Sequence, residues 1–365
     1  MKNDFDLLIL TKYDRSGPSS RYRILQFVPY LESHGFRCTV QSLHAPGYLQ
    51  RVYSGGARSS RYYLGRLVAR TQAVLSAARY SAVFVQKEIA PYCPPCFEVM
   101  LAVMRAKVIY DIDDAIYLPY SGSKHRLVRF LLGGKTPAAL RRSTVVLAGN
   151  PFLREYASRH NRQTILFPTV VDTARYAAAP ETHGGVPVVG WIGTPETVRF
   201  LEERADVLRE VARRSPYQMR VIGVSALAIQ GLDVVCVPWS EETEAHELSR
   251  CDIGIMPLSE GEWAKGKCGL KLLQYLACGL PIVSSPDGGA GDIVKHGAHG
   301  YIARSGEEWR TFLAALINNP ELRKIMGREG RGHVERQFSL EVWAPRMAEI
   351  LTKCIRGERV MDGTP

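Results

Sequence analysis

The chain has 365 residues, 46% of them hydrophobic and 23% charged, and 47 Lys and Arg against 36 Asp and Glu leave a net charge of +11. That balance excludes a disordered chain, and the length exceeds one ordinary domain and suits two. The basic excess favours anionic partners (nucleic acid, anionic lipid or phosphorylated ligands) without choosing among them.

The start, MKNDFDLLIL, reads as a first strand over 6–10 and not as an export segment. No apolar run of about 18 residues without charges occurs, so no span crossing a bilayer is expected. The cysteines at 38, 93, 96, 236, 251, 268, 278 and 354 form no disulfide framework, which fits a reducing, cytoplasmic compartment. Cys93 and Cys96 make a CxxC among prolines, with no second pair to complete a zinc site.

In chain order, the loop 14–21, DRSGPSSR, follows the first strand and opens a helix expected over 22–33. Gly17, Ser19 and Ser20 at that helix start suit contact with a donor or acceptor, and an ordinary serine cap is the equal alternative. After a strand at 37–41 comes a basic stretch, 51–80, with Arg51, Arg58, Arg61, Arg66, Arg70 and Arg79, with Tyr53, Tyr62 and Tyr63, and with no acidic residue. Within it Leu64, Leu67, Val68, Thr71, Val74, Leu75 and Ala78 recur at helical spacing, a stripe expected to pack on the sheet. Arg66 and Arg70 fall off the stripe. The resulting basic face suits an anionic membrane surface reached through Arg51, Arg58, Arg61, Arg66 and Arg70, or is simply solvated. No nucleic-acid-binding module accompanies it.

Strands at 82–86 and 107–110 lead to Asp111, Asp113 and Asp114. Three readings compete for these carboxylates: an Asp-x-Asp metal site, a cleft position where Asp113 orients an acceptor hydroxyl or takes its proton, and helix capping. The cleft role stands slightly above capping and the metal last. A further strand is expected at 144–148. The second half repeats the alternation, with strands at 186–192, 218–222, 234–237, 253–256 and 281–284 and helices at 205–214, 241–250, 271–277 and 307–318.

Such alternation predicts parallel sheets with helices on both faces. The fold class is α/β, with an N-terminal Rossmann-like domain over 1–172, a linker over 173–187, a second over 188–338 and a C-terminal helical segment, 339–365, able to cross back to the first. Two such domains leave a ligand cleft at the carboxyl ends of their strands.

The segment 251–285, CDIGIMPLSEGEWAKGKCGLKLLQYLACGLPIVSS, reads as strand, glycine–lysine loop, helix, tight turn, strand. Lys265, Gly266, Lys267 and Gly269 precede a helix starting near Leu270, where bare amides and lysines suit a diphosphate. An exposed basic loop is the equal alternative. The loop SPDGGAG, 285–291, is expected beside it, either approaching a donor sugar through its backbone or as a flexible turn.

LLQYLACGLPIVSS resembles the C-terminal signature of family 4 glycosyltransferases (group 1), which have the GT-B fold of two Rossmann-like domains facing across a cleft. GWIGTPETVRFL at 190–201, YDIDDAIY at 110–117, GNPFLREYA and FPTVVDTARY resemble further ordered elements of one branch of that family. The resemblance implies a hexosyl- or glycosyltransferase whose second domain binds a nucleotide-diphosphate sugar and whose first holds the acceptor. It implies retention of anomeric configuration and no metal or other cofactor, with cations and a helix start neutralising the leaving diphosphate. That role falls by position to Lys267, helped by Lys265 or Lys271, with a solvated helix face the rival for Lys271. Gly193 and Thr194 belong to the donor-binding turn, Trp239 either stacks on the base or packs the domain, and Gln274 stands where the family's ribose-gripping Glu lies.

Gly266 replaces the other Glu of that E-x7-E pattern, and Trp191 and Glu196 replace its Arg and Lys. The acceptor implied is a cell-envelope polysaccharide or lipid-linked glycan, at the inner face of the cytoplasmic membrane. Two alternatives remain: a catalytically weak nucleotide-sugar-binding partner of another transferase, and a GT-B nucleotide-sugar epimerase.

Overall fold

A computed structural model describes residues 4–56, 59–176 and 185–363. The chain divides into two compact units, Met1–Thr169 with Trp343–Pro365, and Val170–Val342.

The first unit is a six-stranded sheet of β1 (Phe5–Thr11), β2 (Phe36–Ser42), β3 (Ala82–Gln86), β4 (Val108–Ile112), β5 (Val145–Ala148) and β6 (Thr164–Leu166), in the order β2-β1-β3-β4-β5-β6 with every pair parallel. Strands β3 and β4 are buried along their whole length, as helices on both faces require. The second unit has β7 (Val188–Ile192), β8 (Gln218–Ile222), β9 (Asp233–Val237), β10 (Ile253–Met256), β11 (Ile282–Ser284) and β12 (Gly300–Ile302), in the order β12-β11-β10-β7-β8-β9, also parallel. That is the Rossmann order, and it reverses between β7 and β10, where such sheets bind ligands. Trp191, Leu208, Met219, Ile253, Ile255, Trp309 and Leu313 fill its core.

Each sheet has six strands, one more than the sequence patterning suggests. The extra edge strands, β6 and β12, are three residues each, too short to show a hydrophobic period. From Trp343 the last helix, Leu340–Arg356, is part of the first unit, where Trp343 stands edge-on to Phe167 with centroids 5.0 Å apart. No helix among the described residues is long and apolar enough to cross a membrane.

Two helix expectations are corrected. In place of one helix over 22–33, a short turn of helix at Pro18–Ser20 passes into a π-helical turn, Arg21–Leu25, and then helix Val28–Ser33. The π turn swings Arg21 and Arg23 inward, and both are buried. Helix Ser60–Leu75 is rotated from its expected setting, so that Arg70 and Val74 are buried while Leu64, Val68 and Leu75 face solvent. The cause is electrostatic. Arg70 donates to the Thr11 carbonyl at the end of β1 (2.5 Å), and Arg66 to the Ser42 and Leu43 carbonyls (2.9 and 2.6 Å). The guanidinium groups add donors at carbonyls at the ends of β1 and β2, and the Thr11 carbonyl also accepts the Leu43 amide at 2.9 Å.

Candidate functional site

In the second unit the site grows from the carboxyl ends of β7 and β10. Gly193 leaves β7 and donates to the Ile222 carbonyl at 2.9 Å. Gly223, at φ +104°, comes so near that a Cβ there would lie 1.9 Å from the Gly193 oxygen, so that position needs glycine, and a Cβ on Gly193 would lie 2.3 Å from the Trp191 ring. Thr194 is tied into the next turn, its amide donating to the Thr197 hydroxyl at 3.0 Å.

Helix Leu270–Ala277 points its start at this place. Gly269 is its N-cap at φ +65°, a left-handed setting that ends the preceding loop abruptly. Tyr275, which the sequence reading did not single out, anchors the helix. Its buried hydroxyl accepts from the Ile192 amide (3.0 Å) and donates to the Ile255 carbonyl (3.1 Å), bridging β7 and β10 where the strand order reverses. Glycine at 254 makes room for that ring. A second short helix, Ala290–Ile293, starts alongside with Gly289 as its N-cap, and a Cβ on Gly289 would lie 3.3 Å from the Gly269 nitrogen. The SPDGGAG loop therefore lies against the lysine loop, as expected. Among the described residues, the amides of Gly269, Leu270, Lys271, Gly288, Gly289 and Ala290 donate no hydrogen bond. Two adjacent helix starts with bare N–H groups form a concentrated positive field.

Lys271 supplies the charge. Its ammonium stands 4.2 Å from the Trp191 ring centroid, and a Cβ on Gly193 would lie 2.8 Å from its Nζ. Among the described residues this ammonium makes no hydrogen bond or ion pair. Burial, and secondarily the nearby Lys267, pull its pKa from 10.5 to about 7. The pattern thus joins Gly193, Trp191 and Lys271 in one notch. Lys267 precedes the helix, so the two lysines are not on successive helical turns, but they are electrostatically coupled. Lys267 lies 4.0 Å above the Trp263 ring. Lys265 ends a single helical turn, Glu262–Lys265, where an open loop was expected, and is exposed.

Gln274 and Trp239 meet through residues between them. Gln274 is buried, and its amide donates to the Tyr176 hydroxyl at 3.2 Å. That hydroxyl donates to Glu244 Oε1 at 3.0 Å, and the Trp239 indole donates to Glu244 Oε2 at 2.6 Å. Tyr176, from the FPTVVDTARY run, is a member that the sequence reading missed.

In the first unit the three aspartates part company. Asp111, last but one in β4, is fully buried and takes Arg23 Nε on both carboxylate oxygens at 3.0 and 3.1 Å. Burial nonetheless raises its pKa to about 6, against the lowering effect of Arg23. Asp113 and Asp114 turn instead to Lys87, whose Nζ lies 3.5 Å and 3.4 Å from their carboxylates. Lys87 follows β3 in the left-handed region at φ +65°, and the paired carboxylates raise its pKa against the effect of burial. It was not anticipated; a lysine directly after a buried strand was the available signal. Asp111 and Asp113 therefore face different cations. Among the described residues, no group of three His, Cys, Asp or Glu side chains is arranged to hold a metal.

Gly17 is buried against Tyr13, where a Cβ would lie 2.5 Å from the Tyr13 Cβ. Ser20 caps nothing; its hydroxyl donates to Gln86 Oε1 (3.1 Å) and accepts from the Tyr13 amide (3.2 Å). Ser19 is half-buried beside it. The basic face is also corrected. Arg66 and Arg70 turn inward onto strand carbonyls, Arg51 and Arg61 are exposed, and Arg58 lies outside the described residues.

Residues 186–319 match the family described as Glycosyl transferases group 1. The match lies within the second unit. Among curated relatives, a GDP-mannose-dependent monoacylated alpha-(1-6)-phosphatidylinositol monomannoside mannosyltransferase of Corynebacterium glutamicum is 33% identical over 85 residues, 23% of this chain and 22% of that protein. An N-acetyl-alpha-D-glucosaminyl L-malate synthase of Bacillus anthracis is 29% identical over 121 residues, 33% of this chain and 30% of its own length. The matched stretches thus span less than a third of these glycosyltransferases. Whole-chain likeness comes from solved structures. Anabaena Alr3699/HepE in complex with UDP and glucose superposes with a TM-score of 0.69 at 14% identity, over 96% of this chain and 100% of that one. Sucrose-phosphate synthase from Thermosynechococcus elongatus gives a TM-score of 0.70 at 13% identity, over 97% and 100%. The chain has the GT-B fold of these structures.

Proposed function

We propose that the chain is a glycosyltransferase that moves a sugar from a nucleotide-diphosphate donor to a glycan or lipid-linked acceptor of the cell envelope, with retention and without a metal. What carries the reading is the pair of helix starts at Gly269 and Gly289, with undonated amides beside Lys271. A leaving diphosphate gathers negative charge as the glycosidic bond breaks, and fixed donors with lysines lower that barrier most where charge develops. Lys267 and Lys271 bear on the phosphates in this account. The Rossmann switch point between β7 and β10 is where a nucleotide belongs, and HepE, which shares the fold, is solved in complex with UDP. Asp113 takes the acceptor side, orienting a hydroxyl with Lys87 Nζ 3.5 Å from its carboxylate.

The test has two stages. Nucleoside diphosphates are screened for thermal stabilisation of the full chain, and nucleotide sugars of the stabilising base are assayed for transfer. Stabilisation with turnover that survives excess chelator supports the proposal. Turnover lost to chelator and restored by manganese or magnesium overturns its metal independence. Stabilisation without turnover on any acceptor favours a second reading, a nucleotide-sugar-binding partner of another transferase. The observation behind that reading is Gln274, already bonded to Tyr176 at the family's ribose position, with Gly266 in place of the other Glu.

A further inference from the structure

After Asp113 and Asp114 the chain runs through a short helix, Leu118–Ser121, into helix Arg126–Leu132. In this second helix only Leu132 is buried. Leu127, Phe130 and Leu131 are 68%, 85% and 53% exposed. Their spacing of three and four residues puts them on one side of the helix, so the exposure is one apolar stripe and not scattered single residues. Lys124, His125, Arg126 and Arg129 flank it, all exposed, and no acidic residue occurs anywhere from Ala115 to Arg154. Exposed Tyr92 adds an amphipathic ring close by, edge-on to Tyr120 of the preceding short helix at 5.5 Å.

We infer that helix Arg126–Leu132 is a membrane-interface anchor: Leu127, Phe130 and Leu131 enter the headgroup–acyl boundary of an anionic bilayer, and Lys124, Arg126 and Arg129 meet its phosphates. A stripe of large apolar side chains edged by cations alone is the pattern of a helix lying in that boundary. Charge decides among the occupants. A second copy docking stripe to stripe would bring the same cations together, and the stripe falls far short of the ~800 Å² per partner of a stable protein interface. An anionic bilayer offers hydrocarbon and opposite charge at once, each basic side chain near it strengthening binding about fivefold. This surface replaces the 51–80 face, whose Arg66 and Arg70 are turned inward. It does not depend on the transferase reading. With that reading, it brings the segment carrying Asp113 and Asp114 to the layer where a lipid-linked acceptor resides.

The experiment is flotation of the full chain with vesicles of phosphatidylcholine and phosphatidylglycerol, and with phosphatidylcholine alone. The mixed vesicles should bind at low salt, with binding to the neutral ones weaker by about tenfold or more. Phe130→Ser with Leu131→Ser should weaken binding to mixed vesicles by about tenfold or more. Arg126→Gln with Arg129→Gln should weaken it and flatten its salt dependence. Thermal stabilisation by a nucleoside diphosphate, followed in parallel, reports that each variant is folded and separates failure here from failure of the donor site. Flotation of the double serine variant equal to the original overturns the inference. So does absence of flotation at low salt, including the case in which the original dimerises with concentration and Phe130→Ser does not, since a second copy would then cover the stripe.

Discussion

The two units place function on different materials. The second builds its site from backbone: two helix starts capped by Gly269 and Gly289, bare amides, and one lysine lying on Trp191. The first builds from long-range side-chain pairs, with Arg23 on Asp111 and Lys87 on Asp113 and Asp114. Backbone dipoles are fixed before a ligand arrives and suit charge that appears only during reaction. Paired side chains instead hold one another in position. The difference teaches that the proposed donor site is tied to local sequence, while the proposed acceptor side is tied to how the first sheet closes.

Substitutions in the two units should separate accordingly. Lys267→Ala has the largest expected effect, a loss of turnover of about a thousandfold with the fold intact, measured by sugar transfer beside circular dichroism; near-normal turnover breaks the leaving-group assignment. Asp113→Asn should lower turnover about a hundredfold and leave the affinity for a nucleoside diphosphate unchanged. A matching loss of nucleotide affinity would erase the division between units.

Arg23→Met acts on stability. It strands Asp111 as a buried charge and should cost about 3–5 kcal/mol in thermal or denaturant unfolding. Because burial sets the folded pKa of Asp111 above its unfolded value, the folded state binds the extra proton. Stability therefore gains on acidification, and the deficit should be smaller at about pH 5 than at about pH 7.5. A deficit that does not vary with pH contradicts the buried-charge account.

Lys271→Met gives the subtlest signature. With its pKa lowered to about 7, the free protein holds Lys271 partly neutral at neutral pH. A bound diphosphate raises that pKa, so binding takes up a proton and affinity should weaken as pH rises above about 7. Titrations across pH should show that slope in the original chain and lose it in Lys271→Met.

The same contrast governs what the sequence discloses. The strand–helix alternation, the lysine loop and the glycine pair at 288–289 lie close together along the chain, and their geometry follows from local rules. The pairing of Arg23 with Asp111, 88 positions apart, carries no local signature. It also explains why the helix expected over 22–33 breaks into a π turn. Hydrophobic spacing misled in helix Ser60–Leu75, because capping of strand carbonyls by Arg66 and Arg70 outweighed the apolar stripe. That misreading put Arg66 and Arg70 on an outer basic face, while exposed Phe130 passed as an ordinary apolar residue because seven residues are too few to show amphipathicity. The short strands β6 and β12 were hidden for the same reason of length.

The central claim is that the Gly269 helix start and its lysines cradle the donor diphosphate. Titration calorimetry of a stabilising nucleoside diphosphate, and of its nucleoside, into the original chain and Lys267→Ala tests it most directly. The account predicts that the diphosphate binds much more tightly than the nucleoside, and that this advantage shrinks by about tenfold or more in Lys267→Ala. Equal affinities for diphosphate and nucleoside, or an advantage untouched by the substitution, would contradict it.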